Sequence, residues 1–221
     1  MRRTSVTDGR GVVFDLDGVL VDSEPLHLRA YQEVLGGYGR SLSRQEYYAR
    51  FIVYSDQEVL EQLLPDRGAI EVAIAAKQQR YVELVGAGPP AFADGLALLH
   101  RMDGWRVALA TGSCREEAEL ILRGLGIFDR FRVIVTAEDC AQGKPDPEPY
   151  LRAAQGLGLP VGRCVAVEDA PGGVRAAKAA GMRCVGVTHS CPRERLREAD
   201  LVVDDLAGVD LAAILDGEEL P

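Results

Sequence analysis

Short runs of apolar, largely β-branched residues recur along the chain, and helical patterns separate most of them. A run that is apolar on both faces is typical of a strand buried inside a parallel sheet. The runs are Gly11–Leu20, Arg106–Ala110, Arg132–Val135, Cys164–Val167, Cys184–Val187 and, more weakly, Leu201–Val203. The helical patterns are Arg115–Leu125, Pro147–Leu157, Gly173–Ala180 and Leu206–Leu215. This alternation predicts a doubly wound, Rossmann-like α/β fold around a parallel sheet.

The stretch 21–91 breaks the alternation. Its apolar residues recur at helical spacing, as at Leu26, Ala30 and Val34, and it contains no convincing strand pattern. The Gly and Pro residues of 86–90 are typical of a turn that leads back into the sheet. The sequence therefore predicts an α/β core domain formed by 1–20 and 92–221, with 21–91 inserted as an all-helical domain.

Composition restricts the kinds of partner. Of the 221 residues, 47% are hydrophobic and 27% are charged, as in an ordinary globular protein with a core. The formal net charge is −9. Because nucleic acids and anionic membranes are bound through basic surfaces, this charge argues against both partners. We expect a small-molecule ligand instead, and a monomer, with a dimer as the alternative.

The cysteines and the first residues bear on the cellular compartment. The 5 cysteines are scattered, with no CxxC pair, which is typical of reduced thiols. Residues 1–10 start with basic side chains but contain no apolar segment of the kind found in secretory signal peptides. No uninterrupted apolar run is long enough to span a bilayer. The predicted location is cytoplasmic.

Two acids follow the first predicted strand. Residues i and i+2 of a strand point to the same face, so Asp15 and Asp17 can converge where this strand opens into a loop. Ligands of doubly wound sheets bind at this carboxyl end. A solvated turn is the alternative explanation, because Asp-Gly is also a common turn signal.

Polar residues follow three further strands. Thr111-Gly112-Ser113 offers hydroxyls and backbone N–H groups before a helix, an arrangement that commonly holds phosphate. Lys144 lies between turns stiffened by proline, and Glu168-Asp169 directly follows the fourth strand. Each could also be a helix cap or a surface charge. Their positions at successive strand ends predict one shared pocket.

The charges of this pocket predict its ligands. Two like charges about 4 Å apart repel by roughly 4 kcal/mol at an effective dielectric near 20, so clustered carboxylates and a phosphate need a compensating cation. Carboxylate oxygens, a phosphate oxygen and waters are the ligands that Mg²⁺ prefers. Lys144 can offset the remaining negative charge. We therefore expect Mg²⁺ as the cofactor.

Four motifs in this order resemble those of the haloacid dehalogenase (HAD) superfamily, and the similarity covers nearly the whole chain. They are Asp15-Leu16-Asp17-Gly18-Val19, Thr111-Gly112-Ser113, Gly143-Lys144-Pro145-Asp146-Pro147 and Glu168-Asp169. The run Asp22–His27 and the helical insertion resemble the β-phosphoglucomutase-like branch of sugar-phosphate phosphatases and mutases. True dehalogenases and phosphonatases lack an acid at the position of Asp17, so the resemblance implies phosphoryl transfer.

The resemblance implies a role for each acid. Asp15 would attack phosphorus and form an aspartyl-phosphate, while Asp17 would protonate the leaving alkoxide and then activate water. Mg²⁺ would be bound by the Asp15 carboxylate, the main-chain oxygen of Asp17 and Asp169. Glu168 would be a direct or an outer ligand.

The same resemblance implies residues that bind the substrate. Thr111, Gly112 and Ser113 would hold the phosphoryl oxygens, and Lys144 would neutralise charge on them and on Asp15. The helical insertion would be a mobile cap that excludes water. Within it, His27 matches a His of many relatives and Lys77 matches a cap Lys that faces their active site, so the resemblance implies that both bind substrate.

Two departures from the mutase pattern favour a phosphatase. Asp56 and Cys114 stand where β-phosphoglucomutases carry an Arg and a Lys for the second phosphate. We therefore predict a Mg²⁺-dependent phosphatase of small phosphomonoesters, sugar phosphates above all, with a phosphosugar mutase as the alternative. A phosphorylation-controlled binding module is the alternative of another class, although such modules lack an inserted helical domain. His100 and His189 have no sequence context that suggests a role.

Overall fold

The computed structural model describes residues 9–52, 54–86 and 88–217. The chain divides into two compact units, one formed by Met1–Val21 with Ala91–Pro221 and the other by Asp22–Pro90. Residues 1–8, on which the expectation of no signal peptide partly depends, lie outside the described residues. Among those that are described, no helix is both long enough and apolar enough to cross a membrane.

The first unit is built on a parallel sheet in which the strands follow the order β3-β2-β1-β4-β5-β6. The strands are β1 (Gly11–Phe14), β2 (Arg106–Ala110), β3 (Val133–Val135), β4 (Cys164–Glu168), β5 (Arg183–Val187) and β6 (Leu201–Val203). All six overlap runs predicted from the sequence, although β1 ends at Phe14 and so is shorter than the run Gly11–Leu20. Every residue of β1 and β4 is buried, which explains why these strands are apolar on both faces.

The helices of the described residues all follow β1 in the chain. They are α1 (Glu24–Gly36), α2 (Arg44–Arg50), α3 (Asp56–Leu63), α4 (Arg67–Gly86), α5 (Ala93–His100), α6 (Arg115–Gly124), α7 (Glu148–Leu157), α8 (Pro171–Ala179) and α9 (Leu211–Asp216). Helices α5 to α8 alternate with the strands β2 to β5, a short 3-10 helix separates β5 from β6, and α9 follows β6. This order confirms the predicted doubly wound α/β fold.

One predicted helix is wrong at its start. The pattern Leu206–Leu215 predicts a helix over that whole range, whereas α9 begins only at Leu211. The side chain of Asp210 accepts hydrogen bonds from the backbone N–H groups of Ala212 and Ala213, and so caps the helix there. The preceding residues form a turn, in which Asp205 accepts from the Ala207 N–H at 2.6 Å.

The second unit contains α1 to α4 and, among its described residues, no strand. Its core lies mainly between α1 and α4 and includes Leu28, Tyr31, Leu35 and Phe51. This arrangement confirms that the inserted segment is helical. Since α1 to α4 follow β1 and precede α5, the insertion occurs directly after the first strand of the sheet.

The apolar core of the first unit fixes the sheet. It combines inward-facing strand residues such as Val13, Ala108 and Ala166 with Tyr150 and Leu157 of α7. Strand β1 lies at the centre, paired with β2 on one side and β4 on the other. The carboxyl ends of these three strands therefore lie side by side. The loops that follow the three strands all start from this end of the sheet.

Candidate active site

The polar residues predicted to share a pocket follow the carboxyl ends of neighbouring strands. The Asp15 N–H donates to the carbonyl of Val167 at 3.0 Å, which extends the pairing of β1 with β4. The Thr111 N–H likewise donates to the carbonyl of Val135 at 3.0 Å. Asp15 and Thr111 are buried, with 9% and 3% of their surface exposed. Their backbones are therefore held by the sheet itself.

Lys144 lies between two of the predicted acids. Its Nζ is 2.9 Å from Oδ1 of Asp15 and 2.6 Å from Oε1 of Glu168. Burial lowers the pKa of Lys144, but attraction to Asp15 and Glu168 outweighs burial and raises this pKa above its ordinary value. The ammonium group therefore stays charged and directs one cation at the predicted nucleophile.

Both carboxylate oxygens of Glu168 are already engaged within the protein. Oε1 accepts from Lys144 and from the hydroxyl of the fully buried Tyr150. Oε2 accepts from the N–H groups of Asp169 at 3.2 Å and Ala170 at 3.5 Å. A Cβ built on Gly173 would lie 1.8 Å from Oε1, so only glycine leaves space for this carboxylate. These contacts make Glu168 the anchor of Lys144.

Asp15, Glu168 and Asp169 form a cluster that could hold a metal ion. One carboxylate oxygen from each lies within 4.8 Å of the others. Burial raises the pKa of Asp15; attraction to Lys144 opposes this effect, and repulsion from Glu168 and Asp169 adds to it. Burial, followed by repulsion from Glu168, raises the pKa of Asp169 to about 7. Acids that repel one another in this way are well suited to a divalent cation.

Asp17 accepts a hydrogen bond from Ser113 and precedes a tight turn at Gly18. The hydroxyl of Ser113 donates to Oδ2 of Asp17 at 3.0 Å, so Ser113 contacts the predicted acid/base directly. Gly18 follows with φ of 75°, and a Cβ there would lie 1.7 Å from Oδ2 of Asp169. A side chain at this position would be strained and would collide with Asp169. Gly18 therefore allows the loop after β1 to pass close to Asp169.

Of the two hydroxyls after β2, that of Ser113 donates to Asp17, whereas that of Thr111 faces the backbone of Ser113. Oγ1 of Thr111 accepts from the N–H of Ser113 at 3.0 Å, which leaves the hydroxyl proton of Thr111 available to a phosphoryl oxygen. Gly112 is exposed between them. Cys114, exposed and at the N-cap of α6, carries no positive charge.

The second unit contains a separate buried cluster around Lys77. Only 3% of Lys77 is exposed, and its Nζ lies 2.7 Å from Oδ1 of Asp56 and 2.9 Å from Nδ1 of His27. The hydroxyl of Tyr31 donates to the same oxygen of Asp56 at 2.6 Å. Burial, and then repulsion from Lys77, lowers the pKa of His27 to about 3. A neutral His27 therefore accepts from Lys77, whose charge is compensated by Asp56.

Comparison with known proteins agrees with this site. A family model described as a haloacid dehalogenase-like hydrolase matches residues 10–181, which include all four motifs. The chain belongs to this HAD-like hydrolase family. It is also 33% identical to the protein CbbY of Rhodobacter capsulatus, over 96% of this chain and 99% of that protein.

Other relatives are named as enzymes of phosphorylated compounds. The fructose-1-phosphate phosphatase YqaB of Escherichia coli is 33% identical over 80% of this chain and 95% of its own length. The β-phosphoglucomutase of Bacillus subtilis is 32% identical, over 91% of this chain and 92% of its length. A crystal structure of CbbY from Rhodobacter sphaeroides in complex with phosphate superposes with a TM-score of 0.79 at 30% identity, covering 94% and 99% of the two chains. The chain is a HAD-family enzyme, a phosphoric monoester hydrolase.

Sequence reasoning missed two residues of this HAD-family site. Tyr150 lies in α7, one turn of helix beyond the Lys144 motif, and its hydroxyl reaches Glu168. His189 follows β5 and contacts the main-chain oxygen of Gly18. The position of His189 just beyond a strand is the same signal that identified the acids, and it could have been applied there too. Tyr150 offered no such signal, because an aromatic residue on an amphipathic helix also predicts core packing.

We predict that Lys144→Met destabilises the protein when no metal is present. Removing one partner of a buried ion pair costs about 3–5 kcal/mol, because the remaining carboxylates lose their counter-charge. The loss of unfolding free energy in urea should be larger at pH 7.5 than at pH 5.5, since protonation relieves the repulsion. The control is Lys178→Met, because the Lys178–Asp200 pair is partly exposed and such pairs contribute at most about 1 kcal/mol. Equal losses for both variants would contradict the prediction.

Proposed function

We propose that this enzyme is a Mg²⁺-dependent phosphatase that hydrolyses small phosphomonoesters, principally sugar phosphates, through an aspartyl-phosphate on Asp15. The observation that carries the proposal is the contact of Lys144 with Asp15, which itself belongs to the acid cluster with Glu168 and Asp169. A cation against a buried carboxylate, next to further acids that could hold a metal, can bind the phosphoryl group and stabilise the transferring charge.

In the first step, a carboxylate oxygen of Asp15 attacks phosphorus as the bond to the leaving oxygen breaks. Asp17 gives its proton to that oxygen, so the alcohol departs neutral. Ser113 holds Asp17 through Oδ2, which supports this assignment because a proton donor must be oriented toward the leaving group. Thr111 and the backbone of Gly112 are assigned to the remaining phosphoryl oxygens, and Ser113 contributes to the same loop.

In the second step, water attacks the phosphorus of the aspartyl-phosphate. The Asp17 carboxylate takes a proton from this water while the bond between phosphorus and Asp15 breaks. Inorganic phosphate leaves, Asp15 is again a carboxylate, and Asp17 is again protonated. Lys144 stays charged throughout and balances the negative charge that moves between Asp15 and the phosphoryl group.

The residues present fit a magnesium ion. We assign its ligands to the Asp15 carboxylate, the main-chain oxygen of Asp17 and Asp169, and the ion would supply charge neutralisation of the phosphoryl group. Glu168 is assigned an outer role, because its two oxygens are occupied by Lys144, Tyr150 and backbone N–H groups. The raised pKa values of Asp15 and Asp169 support a cation as their partner.

The magnesium assignment predicts how metal, pH and stability are linked. Unfolded Asp169 loses its proton near pH 3.8, whereas the folded protein keeps it to about pH 7, so raising the pH across this window lowers the free energy of unfolding of the metal-free protein. Mg²⁺ binds the deprotonated form. The rise in melting temperature that Mg²⁺ produces over EDTA should therefore grow from pH 5 to pH 7.5, and Asp169→Asn should abolish most of it. A shift that is absent, or equal at both pH values, would refute the assignment.

The substrate class follows from the relatives and from the second unit. The relatives include proteins named for fructose 1-phosphate and for phosphoglucose, which supports a phosphorylated sugar as substrate. We retain His27 and Lys77 as proposed contacts of the leaving group, with the helical unit as the specificity cap.

All five cysteines are free, which supports the predicted reducing cytoplasmic compartment.

The charge of the Lys77 cluster favours a phosphatase over a mutase. A mutase must also bind the second phosphate of a bisphosphate intermediate, and Asp56 takes the place of a cation that mutases use. In the structure Asp56 also forms an ion pair with Lys77, so the charge of Lys77 is already compensated. Arg50, another nearby cation in the sequence, pairs with Glu46 at 2.9 Å. Each missing charge-assisted contact weakens binding of that phosphate by roughly 1.5–3 kcal/mol.

The experiment that tests the function is a screen of the purified protein with Mg²⁺ against phosphorylated sugars. β-Glucose 1-phosphate with a trace of glucose 1,6-bisphosphate is included, and both glucose 6-phosphate and free phosphate are quantified. We expect phosphate release from at least one sugar phosphate and little isomerisation, because water should win the competition for the aspartyl-phosphate. Isomerisation faster than phosphate release would make the enzyme a mutase.

A phosphorylation-controlled binding module remains the alternative of another class. It would share an acidic pocket, a Thr and a Lys in an α/β sheet, but the helical unit after β1 and the family match argue against it. Catalytic turnover distinguishes the two. A protein that takes up one phosphoryl group per chain and releases no phosphate, even with a large excess of substrate, would be such a module.

A further inference from the structure

His189 is held by three contacts in the first unit. Its Nδ1 lies 2.9 Å from the main-chain oxygen of Gly18, and its Nε2 lies 3.1 Å from Oδ2 of Asp94. Its ring stacks on Phe92 at a centroid distance of 3.9 Å and an angle of 11°. Only 12% of its side chain is exposed. Such a set of contacts fixes both the position and the orientation of the imidazole ring.

The partners of His189 lie where the chain leaves and re-enters the first unit. The chain leaves this unit after Val21 and returns at Ala91, and these two residues form a β-bridge. The N–H of Phe92 donates to the carbonyl of Leu20 at 3.1 Å, which pairs the two connecting segments further. His189 contacts Gly18 on the outgoing segment and Phe92 and Asp94 on the returning one. It therefore joins both segments to the carboxyl end of β5.

Asp94, the partner of His189 Nε2, is itself held in place. Oδ2 of Asp94 accepts from the N–H of Leu206 at 2.8 Å, in addition to facing Nε2 of His189. The Gly18 side is different, because a main-chain carbonyl can only accept. The contact at 2.9 Å therefore requires a proton on Nδ1 of His189. This hydrogen bond holds the peptide group between Gly18 and Val19, in the turn that follows Asp17.

The loop that carries His189 also contacts the metal-binding acids. The hydroxyl of Ser190, the next residue, forms a hydrogen bond with the side chain of Asp169. A Cβ on Gly18 would lie 2.5 Å from the same hydroxyl oxygen, which shows how closely the turn and this loop approach each other. The dipeptide His189-Ser190 therefore holds the Asp17-Gly18 turn and Asp169 from one side.

We propose that His189 is a positioning residue for the acid/base Asp17. By donating to the Gly18 carbonyl, His189 fixes the turn on which Asp17 stands, while Ser113 fixes the Asp17 carboxylate from the opposite motif. This inference rests on the proposed function, because it concerns the proton transfer that the function requires. Loss of the Gly18 contact lets the turn shift, and a misplaced acid slows the steps that need its proton.

Two near-isosteric substitutions separate the contacts of His189. The amide nitrogen of Asn is as many bonds from the backbone as Nδ1, so His189→Asn can still donate to Gly18. The amide nitrogen of Gln corresponds to Nε2, so His189→Gln can reach Asp94 but not Gly18. His100→Asn, on the exposed last residue of α5, is the matched control.

The variants are compared on two substrates with Mg²⁺, a sugar phosphate that the wild type hydrolyses and p-nitrophenyl phosphate, whose leaving group needs no proton. Single-turnover phosphorylation of the enzyme is measured for each. We expect His189→Gln to slow this step at least about tenfold on the sugar phosphate and less than about threefold on p-nitrophenyl phosphate, with KM nearly unchanged. His189→Asn and His100→Asn should keep the wild-type ratio of the two rates.

Several outcomes would overturn the proposal. Equal losses on both substrates in His189→Gln would show a structural role only, and the same ratio in the Asn and Gln variants would exclude the Gly18 contact as the cause. Urea unfolding of each variant shows that the rates compare folded proteins. If the wild type released phosphate from neither substrate, both the proposed function and the role of His189 would be rejected. If the wild type turned over both substrates and His189→Gln kept the wild-type ratio of the two rates, only the role of His189 would be rejected.

Discussion

Replacing Asp15 with Asn is expected to reduce phosphate release by at least about 10⁴-fold, because the amide is a poor nucleophile and a poor metal ligand. The substitution keeps the shape of the side chain, so Lys144 loses one charged partner but the pocket keeps its volume. The measurement is the steady-state rate of phosphate release with saturating Mg²⁺, on the best sugar phosphate from the screen.

The stability of this variant gives an independent check. Burial raises the pKa of Asp15, and repulsion from Glu168 and Asp169 adds to that effect, so removing its charge should not destabilise the metal-free protein at neutral pH. Asp103→Asn is the control, because the Asp103 side chain is 87% exposed in the same unit. Near-normal turnover by Asp15→Asn would show that Asp15 is not the nucleophile.

Replacing Asp17 with Asn is expected to reduce turnover of sugar phosphates by roughly 10²–10⁴-fold, the usual contribution of a positioned general acid or base. The amide can still accept from Ser113, so the local contacts are largely kept. The loss comes from the proton relay, because the amide can neither protonate the leaving alkoxide nor take a proton from water.

Leaving groups discriminate this role from a structural one. The first step on p-nitrophenyl phosphate should slow much less than the first step on a sugar phosphate, since p-nitrophenolate leaves without a proton. Single-turnover phosphorylation of Asp15 measures this step directly, with Ser113→Ala as a variant that loosens Asp17 without removing its carboxylate. Equal losses on both substrates would count against the acid role.

The fold was predictable because its strands are short, apolar and buried on both faces. Runs such as Cys164–Val167 and Cys184–Val187 coincide with β4 and β5 to within one residue at each end. The predicted start of α9 was wrong because the apolar pattern continues through a turn. The side chain of Asp210 caps the helix and so decides where it begins. Local hydrogen bonding of one polar side chain is invisible to a hydrophobic pattern.

The candidate site was predictable in its membership more than in its contacts. Residues that follow adjacent parallel strands lie close together, and the contact of Asp17 with Ser113 follows from that rule because β1 and β2 are neighbours. The contact of Asp15 with Lys144 does not follow from it, because Lys144 lies in the loop after β3 and β2 separates β3 from β1. The engagement of both Glu168 oxygens could not be predicted, because Tyr150 reaches Glu168 from a helix packed on the sheet. The assigned roles of these residues stay predictions until the variants are measured.

The ion pair between Asp56 and Lys77 in the helical unit could not be predicted from the sequence either. Asp56 was notable only as an acid in place of a cation, whereas the structure pairs it with Lys77 at 2.7 Å. The two residues are on different helices, α3 and α4, so no spacing rule relates them. Their pairing depends on how these helices pack.

The most direct test of the account is identification of the phosphorylated residue. The enzyme is mixed with a ³²P-labelled sugar phosphate and Mg²⁺, quenched in acid within one turnover, digested and mapped by mass spectrometry. We expect an acid-stable, base-labile phosphoryl group on the peptide that contains Asp15, absent from Asp15→Asn and longer-lived in Asp17→Asn. Phosphate release without label on this peptide, or label on another residue, would contradict it.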